Sequence, residues 1–312
     1  MPAGTSSSKR SGYILAGVFV LLSAARDLWG YLTLLGAPVH ATLFASFAAT
    51  VLIAQLWNRL HGEGRTLIKG SPGLLKDTVL LNITTLISWI ATFEGLARLL
   101  PTTLAAITVG GIPLSTLLLD RFLRRKAISM RSFANAALII SGMLVMSWRE
   151  LGLDAPGHTR MSIGIGIGFS AVAAVFAAAN NVFAKRINDR GFTGTEVFAS
   201  RFWLLLGICV VWCIVGRSTL PSGTMQWLRL TSLGVVGIAL PVICLQMSIE
   251  RIGPRIVGFL IAAIPVLVAI AEIVLRRYLD RTGTVSILLG VGVILVVSGI
   301  VRELAPSPSK KG

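Results

Sequence analysis

One sequence motif occurs twice in this chain, about half a chain length apart. The first copy covers residues 98–125 and reads RLLPTTLAAITVGGIPLSTLLLDRFLRR, and the second covers residues 251–277 and reads RIGPRIVGFLIAAIPVLVAIAEIVLRR. In both copies two small residues and an Ile precede a second proline, Pro113 or Pro265. An acid and then an Arg pair follow this proline at the same spacing in both copies. A motif that keeps its prolines and charges while its apolar residues change indicates a fold assembled from two copies of one unit.

The motif lies in a chain that has too few charges to coat a water-facing surface. Hydrophobic residues make up 54% of the sequence and charged residues 13%, whereas soluble domains carry about 25% charged residues. Ten apolar segments each approach the ~20 residues with which a helix crosses a bilayer. We therefore predict an all-α membrane protein with ten transmembrane helices, near residues 13–35, 39–57, 75–97, 102–122, 131–148, 162–184, 195–216, 227–249, 255–275 and 284–302.

Each copy of the motif includes the fourth of five spans, so each half of the chain is expected to cross the membrane five times. An odd number of spans inverts the second half relative to the first, an arrangement found in many secondary transporters. This division predicts an N-terminal tail at 1–12, a first repeat at 13–148, an outer linker at 149–161, a second repeat at 162–302 and a C-terminal tail at 303–312.

The distribution of basic residues predicts how the chain is oriented. If both termini face inward, the inner segments hold nineteen Lys and Arg residues and the outer segments hold eight. Because basic residues accumulate on cytoplasmic loops, both termini are expected in the cytoplasm. The expected location is the plasma membrane, which in a bacterium is the inner membrane. The formal charge of +16 then faces anionic lipid headgroups, and no nucleic-acid partner is expected.

In this pattern the chain resembles the EamA-like branch of the drug/metabolite transporter superfamily. Each five-span repeat has a central proline in its fourth helix, then a charged hinge, then a fifth helix bearing glycine, which is Gly142 in the first repeat and Gly290 and Gly299 in the second. Arg201, early in the second helix of the second repeat, also matches the family. The resemblance implies transport of a small metabolite by alternating access, through a central cavity lined by spans one, three, four, six, eight and nine.

Charged and aromatic residues lie at membrane depth in the first half. A rise of 1.5 Å per residue places Arg26 and Asp27 about 20 Å along the first span and Glu94 about 25 Å along the third. Charges at this depth need partners or water, and neighbours on a helix point about 100° apart. An Arg26–Glu94 pair would then leave Asp27 facing the cavity as a proton or cation site, with Trp29 and Trp89 as stacking walls. The alternative is a structural polar cluster, with the Trp residues as headgroup anchors.

The two central prolines are candidate elements of a binding site. Pro113 and Pro265 fall about 15 to 17 Å into their spans, near the membrane midplane. Each removes one backbone hydrogen bond and frees the carbonyl four residues earlier. Gly110 and Gly111 beside Pro113 would let a ligand approach this opened backbone. The alternative is a packing kink with small residues at a helix contact.

The second half offers mostly uncharged polar side chains as candidate ligand contacts. They are Asn180, Asn181, Gln246 and, with a charge, Arg201. The amides can hydrogen-bond a polar ligand without a charge penalty, and they can equally cross-link helices. Asn180 stands where the first half has Asp27, so a charge-bearing step is expected to involve one half only.

Other kinds of site are not expected. Cys209, Cys213, Cys244 and three scattered His lack the spacing of a metal site, and no cofactor motif is present. The run GIGIG at 164–168 has no preceding strand, so helix packing explains it better than nucleotide binding. No cluster of catalytic residues occurs in the sequence, so no enzymatic activity is expected.

The preferred function is a secondary active transporter of a small polar or amphipathic metabolite such as an amino acid. Export is the favoured direction, and protons are the candidate coupling ion. Two alternatives stay open: a flippase for an amphiphilic lipid-linked molecule, and an importer of a cationic metabolite such as a choline-like amine. The sequence does not distinguish a monomer from a homodimer.

Overall fold

A computed structural model describes residues 6–61, 72–125, 127–152, 159–215, 223–278 and 287–305. The helices in these ranges are α1 (Ser6–Leu34), α2 (Val39–His61), α3 (Pro72–Leu96), α4 (Pro101–Arg124), α5 (Met130–Gly152), α6 (Arg160–Asn188), α7 (Gly194–Ser200), α8 (Trp203–Val215), α9 (Thr224–Ser232), a π-helical segment (Leu233–Ala239), α10 (Leu240–Ile252), α11 (Pro254–Ile261), α12 (Ile264–Tyr278) and α13 (Ile287–Leu304). Parts of the expected tails, 1–5 and 306–312, and of the expected linker, 153–158, lie outside the described residues.

The helices confirm the predicted fold class. In the described ranges, nine helical stretches are long and apolar enough to cross a membrane, and α13 adds an 18-residue helix at the tenth expected span. No strand occurs within those ranges. The helix ends differ from the predicted span ends: α1 begins at Ser6 rather than near 13, and α5 continues to Gly152. Apolar length marks only the part of a helix in hydrocarbon, whereas the helix itself continues into the headgroup region.

The ends of α4 and the start of α7 follow from local sequence. Leu100 is extended and Pro101 occupies the first helical position, where its missing N–H needs no partner. The helix ends at Arg124, and the following Arg125 adopts a left-handed conformation with φ 52° and donates its backbone N–H to the Asp120 carbonyl. At the start of α7, Thr193 and Glu196 form a capping box.

The second copy of the repeated motif is interrupted, and the first is not. Helix α4 runs through Pro113 without a break, whereas α11 ends at Ile261 and α12 begins at Ile264. At the break, the backbone N–H groups of Ala262 and Ala263 bond carbonyls three residues earlier. Both prolines lack the N–H that would bond the carbonyl four residues earlier, but only the second copy is interrupted, because the rest of the α4 hydrogen-bond ladder keeps that helix continuous.

Two further spans of the second repeat depart from a regular α-helix. The seventh span is divided between α7 and α8 at Arg201 and Phe202. The eighth contains the π-helical segment, where Gly234 meets α2 so closely that an added Cβ would lie 2.1 Å from the Ser46 carbonyl oxygen. Such π-turns occur frequently at functional sites. The irregular backbone is thus concentrated in the second repeat of the described chain.

The helices pair across the two halves in a pattern that the repeat relates. Helix α1 packs along α10, and α6 packs along α3. These contacts are equivalent, because the repeat maps the first span onto the sixth and the third onto the eighth. Helix α2 packs against α7 and α8, α4 against α11 and α12, and α5 against α13, so each of these spans meets its own repeat equivalent. Two intertwined inverted units produce this pattern.

The start of α1 and the end of α13 lie at the same end of the bundle, which we call the termini side. Arg251 donates a hydrogen bond to Ser11 of α1 at 2.9 Å. Arg255, at the start of α11, forms an ion pair of 2.7 Å with Glu303 at the end of α13. Helices α4 and α6 begin at the other end, the opposite side.

Candidate substrate cavity

A cavity of about 90 Å³ lies between the two repeats. Its walls come from α1, α3, α4, α6, α10, α11 and α12, so each of the six spans implied by the family resemblance contributes. Arg201, at the break between α7 and α8, adds a contribution from the seventh span. Because helices of both repeats converge here, a movement of one repeat against the other would change access to the cavity.

Arg26 and Asp27 form an ion pair with each other in the cavity wall. Nη2 of Arg26 lies 2.7 Å from Oδ1 of Asp27, and Nε lies 2.9 Å from the same oxygen. The guanidinium carbon also lies 5.2 Å from the ring centroid of Trp89, close enough for a cation–π contact. Asp27 is only 3% exposed. The α1 wall therefore presents a compensated pair rather than a lone charge.

This pairing corrects the predicted partner of Arg26. Glu94 forms an ion pair with Arg98, one turn further along the chain, and Glu94 is not among the residues that line the cavity. The prediction relied on the directions of neighbouring Cα–Cβ bonds. It failed because the long Arg side chain bends back across that angle to the short side chain beside it.

Arg201 also lines the cavity and is 3% exposed. Its Nη2 donates a hydrogen bond to Oδ1 of Asn180, and the amide of Asn180 donates in turn to Oγ1 of Thr85. Its guanidinium carbon lies 5.3 Å from the Phe202 ring centroid. Among the described residues, no acceptor forms a hydrogen bond with Nε or Nη1 of Arg201. The network thus holds the guanidinium in place and leaves donors unused.

Comparisons with known proteins identify the type of chain that builds this cavity. Residues 164–299 match the model of the EamA-like transporter family. The second repeat belongs to the EamA-like transporter family. This match confirms the family resemblance for the second repeat and agrees with a multi-pass membrane transporter of the drug/metabolite type.

The fold of the whole chain is also shared with a known protein. The chain is similar to a protein of known crystal structure, with 17% identity and a TM-score of 0.73, over 95% of this chain and 98% of that one. At this identity the likeness concerns the fold alone, and it extends over both repeats. No curated protein matches the chain.

The small residues of the EamA-like motif lie at helix contacts. An added Cβ on Gly110 would be 2.5 Å from Cγ of Met143 on α5, and one on Gly111 would be 2.8 Å from Cβ of Ala174 on α6. Neither glycine is among the lining residues, and neither are Pro113 and Pro265. The cavity is instead reached by their neighbours Val109, Ile112, Ile261 and Ile264.

The remaining predicted residues are divided between the cavity and the packed interior. Asn181 and Trp89 line the cavity. Trp29 packs against a hydrophobic cluster formed by α2, α3, α7, α8, α10 and the π-helical segment, and it is not a lining residue. Gln246 is fully buried outside the lining, and neither atom of its amide has a hydrogen-bond partner within the described residues.

Several lining residues were not predicted from the sequence. Ser88, Thr92 and Thr108 bring hydroxyl groups to the cavity, and Thr85 holds Asn180. Hydroxyls scattered in an apolar span are a weak signal, because they commonly bond a carbonyl of their own helix, as Thr85 does with Leu81. In the described part of the chain, no group of His, Cys, Asp and Glu residues could hold a metal ion.

Proposed function

We propose that this EamA-like chain is a secondary active transporter that exports a small polar or amphipathic metabolite across the plasma membrane. In this proposal both termini are cytoplasmic and transport proceeds by alternating access. The cavity between the inverted repeats carries the proposal, because it combines an apolar wall with a buried guanidinium and an amide. A packed structural core would fill this space with apolar side chains.

The charges of the lining favour this function over the importer of a choline-like amine. Arg26 and Arg201 supply two positive charges, and Asp27 is the single acid among the described lining residues. A quaternary ammonium would meet a net positive wall. The cavity has a volume of about 90 Å³, whereas ligand pockets usually have about 300–1,000 Å³. It must therefore widen even to hold a small metabolite. A lipid-linked molecule would need a still larger cavity, so the volume favours a small solute.

Alternating access is supported by contacts at the two ends of the bundle. On the opposite side, Thr102 near the start of α4 donates a hydrogen bond to Glu272 of α12. On the termini side, a second cavity of about 520 Å³ is lined by residues that include Asp120, Lys185 and Arg255. An exporter must load from the cytoplasm, and this larger cavity lies at the end proposed to be cytoplasmic.

The repeat itself suggests how the termini side closes. The two copies of the motif align with an offset of 153 at the first proline and 152 from the two small residues before the central proline onward. Thr102 therefore corresponds to Arg255, and Glu272 corresponds to Asp120. The counterpart of the Thr102–Glu272 contact is an Arg255–Asp120 contact, and we propose that it forms when the termini side closes and Arg255 leaves Glu303.

Proton coupling through Asp27 follows from its place in the cavity. Protonation of this carboxylate would weaken its ion pair with Arg26 and change the charge of the wall that faces the solute. A pH gradient would then shift the equilibrium between the two arrangements of the repeats in alternating access. Asp27→Asn imitates the protonated form, so it is expected to abolish flux driven by a pH gradient and to retain solute binding.

The test is reconstitution of the purified full-length protein into liposomes. Vesicles preloaded with one unlabelled amino acid or organic acid at a time are given the same labelled solute outside. We expect transient accumulation of at least one solute, stimulated by a pH gradient in the wild type but not in Asp27→Asn. Asp77→Asn is the matched control, because Asp77 is equally buried but pairs with Arg190 at 2.7 Å on the termini side.

Other results would reject the proposal. Scrambling of a fluorescent phospholipid without accumulation of any soluble solute would favour the flippase. Accumulation of choline alone would favour the importer. An undiminished response of Asp27→Asn to the pH gradient would remove Asp27 from the coupling step.

A further inference from the structure

The geometry points to a small amphipathic monocarboxylate as the solute of this cavity, with Arg201 binding its carboxylate group. The inference rests on the proposed transport function and specifies its substrate class. It begins from Arg201, which is 3% exposed and is paired with no carboxylate in the described residues of the chain. A buried cation normally has an anionic partner, because burial without one is strongly unfavourable.

The other charges of the cavity do not supply this partner. Asp27 is the single acid among the described lining residues, and its Oδ1 already accepts both Nε and Nη2 of Arg26. The pair on α1 is neutral as a unit, so the wall keeps one net positive charge at Arg201. A solute with one negative charge would bring the cavity to neutrality.

The arrangement of Arg201 suits a carboxylate better than a neutral group. Asn180 accepts one hydrogen bond from Nη2, while Nε and Nη1 have no acceptor among the described residues. A guanidinium can donate two parallel N–H bonds to the two oxygens of a carboxylate, and such charged bonds are stronger than neutral ones. Asn180 and Phe202 hold the guanidinium in place, so the Arg201 side chain loses little conformational freedom when a solute binds.

The rest of the lining describes the other end of the solute. Its apolar side chains are contributed by both repeats and include Phe19, Leu104, Ile112, Val242, Leu245 and Ile261. Such a wall binds a hydrocarbon or aromatic body by the hydrophobic effect. Together with one anion-binding group, it selects an amphipathic monoanion over a sugar, a dianion or a free amine.

A structural role for Arg201 is the competing explanation, in which it only ties α8 to Asn180 of α6. Asn180→Asp separates the two explanations. The introduced carboxylate would pair with Arg201 and preserve the link between the helices, so a structural role predicts unchanged ligand binding and equal or higher stability. If Arg201 instead binds the solute, the introduced carboxylate would compete with that of the solute, and binding would be lost.

The experiment measures ligand-dependent thermal stabilisation of the purified full-length protein with probes that share one body and differ in charge. N-acetylphenylalanine carries one negative charge, phenylalanine has no net charge, and phenethylamine carries one positive charge. We expect saturable stabilisation by N-acetylphenylalanine at concentrations at least about tenfold lower than for the other two. Arg201→Gln and Asn180→Asp should each weaken it by at least about tenfold, and the control Arg98→Gln should not.

Three results would overturn the assignment. They are no stabilisation by N-acetylphenylalanine, equal stabilisation by all three probes, and unchanged N-acetylphenylalanine binding in Asn180→Asp. Failure of this inference is distinguishable from failure of the proposed function. Counterflow of phenylalanine that persists in Arg201→Gln would keep transport and reject the anion site, whereas selective anion binding without flux of any solute would keep the site and reject transport.

Discussion

Nη2 of Arg26 lies 2.7 Å from Oδ1 of Asp27, the next residue of the same helix. The pair shares the cavity wall with Trp89, against whose ring Arg26 packs. An intrahelical pair keeps its geometry when α1 moves as a rigid body, so it can accompany a rearrangement between the repeats. It also leaves Arg201, on another span, as the lining cation that has no carboxylate partner among the described residues.

The first prediction concerns the energetic coupling between Arg26 and Asp27. Removing one partner leaves a buried charge uncompensated, which costs about 3–5 kcal/mol in proteins. Arg26→Gln and Asp27→Asn should therefore each destabilise the protein strongly, and the double variant should lose much less than the sum of the two. The unfolding free energies of the four proteins in detergent measure this coupling. Additive losses would mean that the contact contributes nothing.

The second prediction concerns closure of the two sides. Thr102→Cys with Glu272→Cys should cross-link readily in the protein without solute, because those residues are in contact on the opposite side. The pair Arg255→Cys with Asp120→Cys should cross-link slowly in the protein without solute. Its cross-linking should become faster under conditions that reduce cross-linking of the Thr102→Cys and Glu272→Cys pair. Cross-linking yields for both pairs, measured with and without a transported solute, test this reciprocity. Complete reaction of both pairs in a protein that still transports would contradict it.

The third prediction concerns the contact between α5 and α13. A Cβ on Gly142 would lie 2.7 Å from the carbonyl oxygen of Gly292, and a backbone atom cannot easily move away. Gly142→Ala should therefore destabilise the protein by about 1–3 kcal/mol. Gly168→Ala is the control, since a Cβ there meets nothing within 4 Å, and it should be neutral or stabilising by up to about 1 kcal/mol. Thermal unfolding of both variants decides, and equal effects would contradict the packing argument.

The fourth prediction concerns the two central prolines. Pro265→Ala restores an N–H beside the break at Ala262 and Ala263, so α11 and α12 can join into one rigid helix. We expect solute binding to persist and the transport rate to fall several-fold. Pro113→Ala should mainly stabilise α4, which is already continuous. Rates and melting temperatures of both variants test this difference, and a larger loss of rate for Pro113→Ala would refute it.

The polar residues of the cavity were only partly predictable. The predicted residues that line the cavity are Arg26, Asp27, Trp89, Asn180, Asn181 and Arg201. The predicted Arg26–Glu94 pair was wrong, because the prediction considered where side chains start and not how far they reach. The prediction that helix packing explains the GIGIG run was also only partly right. Gly166 packs against Leu99, but a Cβ on Gly164 or Gly168 would meet nothing within 4 Å. Packing explains one glycine of that run and leaves the other two without a contact.

By itself the sequence determined the helical membrane fold, the number of spans and their duplication. These properties depend on the length of apolar runs and on the repetition of a motif, and both can be counted along the chain. Only the tertiary structure decided which polar groups meet. Thr102 contacts Glu272 across 170 positions, and Arg201 contacts Asn180 across 21. Such contacts depend on how each helix is rotated and where its neighbours pack, and no periodicity of the chain records that rotation.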